Sequence, residues 1–516
     1  MCEVSENNVI IKKDRNPGGI SMDEMQLNDQ EKARLVKLER LEELGVDPYG
    51  HAFEAKNTSK EVKENYTGKT HEELEEEANE VSVAGRIMFM RKMGKASFFS
   101  LKDKEGLVQV YIRMDNVGEE QYNIFKCADV GDIVGVEGTV MLTQTGEITI
   151  KCLKYTHLSK SLKPLPEKFH GLSDVEERYR KRYLDLIMNE SSMEVAILRP
   201  RIIRAMQNYF DSLGFVEVET PVLEVHKGGA TARPFITHHN ALDMDLYLRI
   251  ATEISLKKLL VGGMERVYEI GRIFRNEGVD TKHNPEFTSV ELYQAYGNLK
   301  SMMEITEGVM KYIAKTVFNK YVFKVGDVEI DIEKPFKVVY MTDLIKEKTG
   351  IDFKANHYTL EEATALAKEK GIKVEPHFTV GHIINAFFEE FCEEDLIQPT
   401  FLCGHPIEIS PLTKEDPEDP RFVQRFELYI CGTEYGNAYT ELNNPIEQRK
   451  RFEEELRERK MGNDEAADID ETFLDALSYG MPPAGGVGIG IDRIVMFFTE
   501  KPSIRDVLLF PHMKTK

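Results

Sequence analysis

Apolar residues change their spacing several times along the chain, and each change predicts a different kind of element. Residues 1–28 are polar and without periodicity, a composition expected to give a disordered tail. Leu35, Leu38, Leu41 and Leu44 then recur every three residues before Gly45, which predicts a short amphipathic helix with a glycine stop. Acidic helical sequence (HEELEEEANE) completes an N-terminal helical segment over 29–78. From Val81 the spacing shifts to two. VSVAGRIMFMR, ASFFSLK, LVQVYIR, DIVGVEGTVML and EITIKCLKYTH are separated by Gly, Asn or Asp turns and predict five short strands over 79–159. Five strands match an OB-fold barrel, with a small β-sandwich as the rival. A Pro-containing connector covers 160–185, and 186–516 is a larger mixed region. There RIIRAMQNYFDSLGF places Ile203, Met206, Phe210 and Leu213 on one helical stripe, with Pro200 expected in the first turn. VEVET reads as a strand leading to Pro221. A helical insertion is expected near 341–420, where Thr359 and Glu362 match a capping box. The expected class is α+β.

Three segments carry chemistry. Residues 267–296 predict an antiparallel hairpin whose loop and return strand present Arg275, Glu277, His283, Phe287, Glu291 and Tyr293. Glu291 and Tyr293 lie two apart and so share a face. A guanidinium, carboxylates and an aromatic ring are the parts needed to hold a carboxylate against a phosphate and stack a purine. A surface hairpin with ordinary ion pairs has the same composition and is commoner. In ELYICGTEYGNAYTE (427–441), Asn437, Tyr439 and Glu441 alternate, so a strand points them one way. Glu427 and Glu434 are seven apart and meet only if a turn or bulge near Gly432 intervenes. Converged, they are a plausible magnesium pair beside triphosphate oxygens; an acid-decorated sheet edge is the alternative. Finally GGVGIGIDRIVMFF (485–498) is a glycine strand feeding Asp492–Arg493 and an apolar helix, a weak signal for close backbone approach to a ligand.

Composition narrows the setting. The chain of 516 residues has 41% hydrophobic residues and calls for two or three domains. No apolar run approaches a membrane span, the start lacks a secretory pattern, and the six cysteines form no CxxC pair. A cytoplasmic protein without a membrane partner is expected. A net charge of −22 disfavours a nonspecific nucleic-acid binder but leaves room for a local patch. Lys151–Arg182 holds nine basic against four acidic residues and is such a candidate, or else a solvated linker.

Taken in order, GFVEVETP (214–221), FRNEG with HNPEFT (274–288) and GIGIDR (488–493) resemble the three signature motifs of class II aminoacyl-tRNA synthetases. With GGATARPFITHHNALD and GNAYTELNNP, the nearest subgroup is the class II lysyl-tRNA synthetases. The resemblance covers residues from about 30 onward. It implies an OB-fold anticodon-binding domain, then an antiparallel catalytic sheet flanked by helices, and a homodimer with Pro221 at its interface. The implied activity joins L-lysine to ATP as an adenylate and passes lysine to the terminal ribose of tRNA(Lys). By resemblance, Arg275 and Arg493 are catalytic, Arg275 bridging the lysine carboxylate and the α-phosphate. ATP would be held by Arg275, Glu277, His283, Asn284, Phe287, Glu427 and Arg493. Glu427 and Glu434 would hold Mg2+. Gly229, Glu253, Glu291, Tyr293, Asn437, Tyr439 and Glu441 would hold lysine, Glu253 taking its α-ammonium and Glu291 with Glu441 its ε-ammonium. Arg91, Phe98, Gln109 and Glu147 would read the anticodon.

Lysine's chemistry agrees. Two ammonium groups need acids at both ends, its carboxylate needs a base, and tyrosine rings can cover its stem. An aspartyl- or asparaginyl-tRNA synthetase would need a different pocket. A protein-modifying lysine ligase would lack the OB domain, and a nonenzymatic RNA-binding module would not need Arg275, Glu434 and Arg493 together.

Overall fold

The computed structural model describes residues 27–166, 172–226, 228–230, 232–461 and 469–515. Most of the tail expected to be disordered, residues 1–26, lies outside them. The chain divides into two compact units, Met1–His170 and Gly171–Lys516.

In the first unit, helices α1 (Asp29–Glu43), α2 (Ser59–Tyr66) and α3 (His71–Glu77) each begin with a capping box, in which two otherwise unpaired backbone donors are satisfied. Strands β1 (Glu80–Met93), β2 (Ala96–Lys102), β3 (Leu107–Arg113), β4 (Ile133–Leu142) and β5 (Ile148–Ser159) close into a barrel in the order β1-β2-β3-β5-β4. Helix α4 (Met114–Lys126) joins β3 to β4. The period-two alternation decides which side each residue takes. In β2, Ser97, Phe99 and Leu101 point into the core, and the residues between them face outward.

The second unit opens with α5 (Val175–Arg180), α6 (Arg182–Met188) and α7 (Glu190–Ser212). Pro200 does not start a helix, as the sequence led us to expect; it lies inside α7. The helix begins ten residues earlier because Val195 already belongs to its buried stripe, which Ile202, Met206 and Phe210 continue. That burial outweighs the single hydrogen bond a proline removes. VEVET is strand only at β6 (Val216–Glu217). Strands β7 (Leu223–Glu224), β8 (Ile236–His239) and β9 (Met244–Leu248) form a small sheet, followed by α8 (Glu253–Val261).

The hairpin is present as β10 (Arg266–Phe274) and β11 (Glu286–Ala295), which pair antiparallel. After α9 (Leu299–Ile313) comes a two-stranded ribbon, β12 (Val322–Val325) with β13 (Val328–Asp331). Strand β14 (Lys337–Tyr340) leads to α10 (Met341–Thr349), α11 (Leu360–Glu369) and α12 (Val380–Phe391), and the Thr359–Glu362 capping box forms at α11. Within 341–420, however, β15 (Thr400–Cys403) belongs to the large sheet. Strands β16 (Arg425–Ile430) and β17 (Thr433–Thr440), helices α13 (Pro445–Lys460) and α14 (Glu471–Ser478), strand β18 (Ala484–Gly490) and helices α15 (Ile491–Phe498) and α16 (Ile504–Val507) complete the chain.

The large sheet runs β14-β15-β16-β17-β18-β11-β10-β6, antiparallel except at its two outermost pairs. Its core face is filled by α7, α9 and α15, with Phe210, Tyr268, Met302, Phe426 and Phe497 among the buried side chains. No helix among the described residues is long and apolar enough to cross a membrane.

Candidate active site

The opposite end of the chemistry collects around one cavity of about 490 Å3 in the second unit, walled by β11, β16, β17, β18, the start of α8 and the loop between β10 and β11. The three segments singled out in sequence meet because β18 pairs with β11 on one side and β17 on the other. An ion pair fastens the seam. Arg199 on α7 lies 2.5 Å from Asp492, whose second oxygen accepts the Thr288 backbone N–H at 2.7 Å. Arg199 was not apparent in the sequence, where only the adjoining Asp492–Arg493 step stood out.

One end of the cavity is cationic and aromatic. The Arg275 guanidinium carbon is 5.2 Å from the centre of the Phe287 ring, and its nitrogens make only long contacts, 3.4 Å, to the Ile250 carbonyl. It is therefore available for a ligand. Arg493 donates to the Glu434 carbonyl at 2.6 Å and sits 3.3 Å from His283 Nε2, while His283 Nδ1 meets Asp280 at 2.8 Å. Asn284 is buried and donates to the Glu286 carbonyl at 2.6 Å, while its side-chain oxygen has no partner. Glu277 is exposed at the rim.

Glu427 and Glu434 converge on this end. Strand alternation alone would separate them. A bulge between Leu428 and Tyr429 and a turn at Cys431–Gly432, both with positive φ (50° and 60°), bring both to the cavity. Burial works to raise the Glu427 carboxyl, but Arg425 at 2.6 Å and His405 at 3.3 Å overcome it and hold the group ionised. Glu434 is raised by burial and by the Glu427 charge. Two neighbouring carboxylates, one destabilised by the other, suit a divalent cation. Among the described residues no set of three or more His, Cys, Asp or Glu side chains is arranged to hold a metal alone.

The other end is acidic. Glu253, at the start of α8, and Glu291 and Tyr293, on β11, line it together with Asn437 and Tyr439 from β17. Glu291 accepts the Thr252 backbone N–H and the Tyr293 hydroxyl, each at 3.1 Å. Burial, reinforced by the Glu253 charge, pushes its carboxyl up to about 7. Asn437 is held by Arg425 at 3.1 Å. Gly229 has φ +82°, and an added Cβ would come within 3.1 Å of Ala251 and 3.3 Å of Glu253. Glu441 differs from expectation. It is wholly buried, does not line the cavity, and lies 2.5 Å from the Lys257 ammonium, which is also 2.5 Å from Glu253. The sequence reading missed Lys257. The available signal was its spacing of four from Glu253, which puts the two on one helix face.

On the barrel, Phe98 turns outward rather than into the core, which Phe99 fills. Phe98 faces Arg91 across one strand pair and Tyr111 across the other, with the two rings 4.8 Å apart. Gln109 shares this side and accepts from Thr149 at 2.9 Å, and exposed Glu147 precedes β5. Tyr111, two residues after Gln109 and on the same face, is a second aromatic that the sequence reading passed over. Much of the basic run is committed to ion pairs instead of forming an open patch. Lys160 is buried against Asp129 and Asp132, and Arg182 against Asp185. Lys168 lies outside the described residues.

Residues 174–514 match the family tRNA synthetases class II (D, K and N), and residues 81–158 match the OB-fold nucleic acid binding domain. Similar curated proteins are the lysine–tRNA ligases of Staphylococcus epidermidis (55% identical, 95% of this chain and 99% of theirs), Bacillus subtilis (55%, 95% and 98%) and Streptococcus gordonii (57%, 95% and 99%). The chain belongs to the class II tRNA synthetases and, within them, to the lysine–tRNA ligase family.

Proposed function

We propose that the cavity activates L-lysine with ATP, releasing pyrophosphate, and that the lysyl group then passes to the 3'-terminal ribose of tRNA(Lys). The observation that carries this reading is a single cavity with carboxylates and phenols at one end and Arg275, Phe287 and Arg493 at the other. The acidic end matches the two ammonium groups of lysine, and the cationic end matches a carboxylate pressed against a triphosphate.

Arg275 would neutralise the lysine carboxylate and the α-phosphate at once, letting two anions approach for in-line attack. Phe287 offers a face to adenine, and Asn284, with its free buried oxygen, offers an acceptor. Arg493 and His283 extend the cationic wall toward the outer phosphates, and Glu277 is at hand on the rim. Mg2+ held by Glu427 and Glu434 would neutralise charge on the triphosphate oxygens. No protein nucleophile enters, because the substrate carboxylate is itself the nucleophile.

Cytoplasmic residence fits the five described cysteines, all of which are free thiols. A homodimer fits the exposed apolar side chains of Val216, Val222, Leu223 and Val225 around Pro221. The outward Phe98–Tyr111 pair, with Arg91, Gln109 and Glu147 near it, offers a stacking platform for unpaired anticodon bases.

The deciding experiment is ATP–pyrophosphate exchange with each of the twenty amino acids in parallel. Exchange with lysine alone is expected; a folded sample that exchanges with none overturns the proposal. Phe98→Ala is expected to lower kcat/KM for tRNA charging by about 10- to 100-fold, the range of one lost base stack, and to leave exchange unchanged. If exchange falls in parallel, the barrel face is not a separate tRNA contact. Gly486→Ala probes the pocket floor. A Cβ there would collide with the Tyr293 ring and Glu441. It is expected to raise the lysine KM by about 10-fold or more with the ATP KM little changed, as measured by exchange kinetics.

A further inference from the structure

Helix α8 (EISLKKLLV) turns an apolar face to the sheet, yet that face carries a lysine. Lys257 is completely buried, with its ammonium 2.5 Å from Glu253 Oε1 and 2.5 Å from Glu441 Oε2. Burying such a charge costs several kcal/mol unless carboxylates surround it. Burial pulls the lysine toward losing its proton, and Glu253 and Glu441 more than reverse this, so it stays an ammonium.

Glu253 couples electrostatically to both Glu291 and Glu441, so the three carboxylates form one charged chamber. Glu224, whose charge also interacts with that of Glu291, does not line the cavity. Among the described residues, Lys257 is the one cation in ion-pair contact with these acids. With all three ionised the chamber is short of two positive charges, and free lysine brings two ammonium groups.

We propose that Lys257 is a positioning residue that sets the charge balance of the lysine pocket, acting as a fixed third ammonium so that the three carboxylates are neutralised when the substrate is a diamino acid. This rests on the proposed lysine pocket and adds to it a residue that does not line the cavity. It explains why a pocket for two ammonium groups contains an internal cation. Three buried carboxylates with no internal cation would hold protons in place of substrate, whereas with Lys257 in place the two ammonium groups of bound lysine match the two remaining negative charges and favour the ionised forms. It also orients Glu253, which lines the cavity, through their contact.

A charge-exchange series tests this. Lysine and ATP KM values are measured by pyrophosphate exchange for Glu441→Gln, Lys257→Met, Glu291→Gln and the double variant Lys257→Met/Glu441→Gln, with thermal denaturation as the check on folding. Glu441→Gln leaves one positive charge too many when lysine binds and is expected to raise the lysine KM by about 100-fold. Lys257→Met is expected to be harmful alone. Added to Glu441→Gln it restores the balance, and the double variant is expected to bind lysine about 10-fold better than Glu441→Gln. Comparing these two does not require Lys257→Met to fold by itself. A purely structural Lys257 predicts the opposite sign, the second substitution adding to the damage, and that result overturns the proposal. Loss of the double variant's cooperative thermal transition also counts against it, since that protein buries the same net charge as the parent. The pocket reading fails separately: then neither Glu441→Gln nor Glu291→Gln raises the lysine KM selectively over that for ATP.

Discussion

Replacing Arg275 with alanine is expected to lower kcat/KM for lysine-dependent pyrophosphate exchange by about 10²- to 10³-fold, the range for removing one group that stabilises charge at a reacting centre. The reason lies in its surroundings. Among the described residues Arg275 forms no ion pair and makes only two 3.4 Å contacts to a carbonyl, so its guanidinium is open to a ligand. It stands over Phe287, at the point where a nucleotide and a second substrate would meet. Losing it costs little packing, and the thermal midpoint is expected to stay near that of the parent. Arg275→Lys is expected to recover only part of the rate, because an ammonium cannot bridge two anions with a planar fork. Exchange within a few-fold of the parent in Arg275→Ala would remove Arg275 from the mechanism.

The second large effect concerns selectivity. Norleucine has the carbon chain of lysine without the ε-amine, and exchange is expected to favour lysine over it by roughly 10⁴- to 10⁵-fold, as in sites that read a polar group. Norleucine would place a methyl group against Glu291, leaving that buried carboxylate with its Thr252 and Tyr293 hydrogen bonds but no cationic partner. In Glu291→Gln the penalty for the missing amine shrinks, and the ratio is expected to fall by about 100-fold or more, mostly through a worse lysine kcat/KM. A ratio that survives the substitution would place the ε-amine elsewhere.

Much of the architecture was legible because its signals are local. Five alternating runs describe the barrel, and the turn-flanked hairpin of β10 and β11 is visible in its spacing. The alternation of Asn437 and Tyr439 already puts them side by side. What was not legible depends on contacts between distant segments. Pro200 looked like a helix start because the apolar stripe through Val195 was overlooked, and the core overrides a proline's local preference. For Glu427 and Glu434 the sequence pointed to a turn near Gly432, which forms, but not to the bulge between Leu428 and Tyr429 that completes their convergence. Glu441 looked like a direct ligand because alternation gives its direction along β17 but not that α8 would set Lys257 in front of it. Arg199 and Tyr111 were missed for the same reason: their partners lie on other elements.

Strand β11 also acts as a ruler. Phe287 and Glu291 are four residues apart on one regular strand, a separation of about 13 Å at the usual rise per residue. Pairing to β10 along the whole span, and to β18 from Ser289 onward, prevents that length from changing without breaking the sheet. The spacing between the aromatic platform and the acid at the far end is thus constant, and it measures the chain of whatever lies between. Ornithine carries the same charges as lysine but is one methylene shorter. With the proposed roles of Phe287 and Glu291 it would satisfy one end of the ruler or the other, so the backbone would enforce length even where charge cannot discriminate.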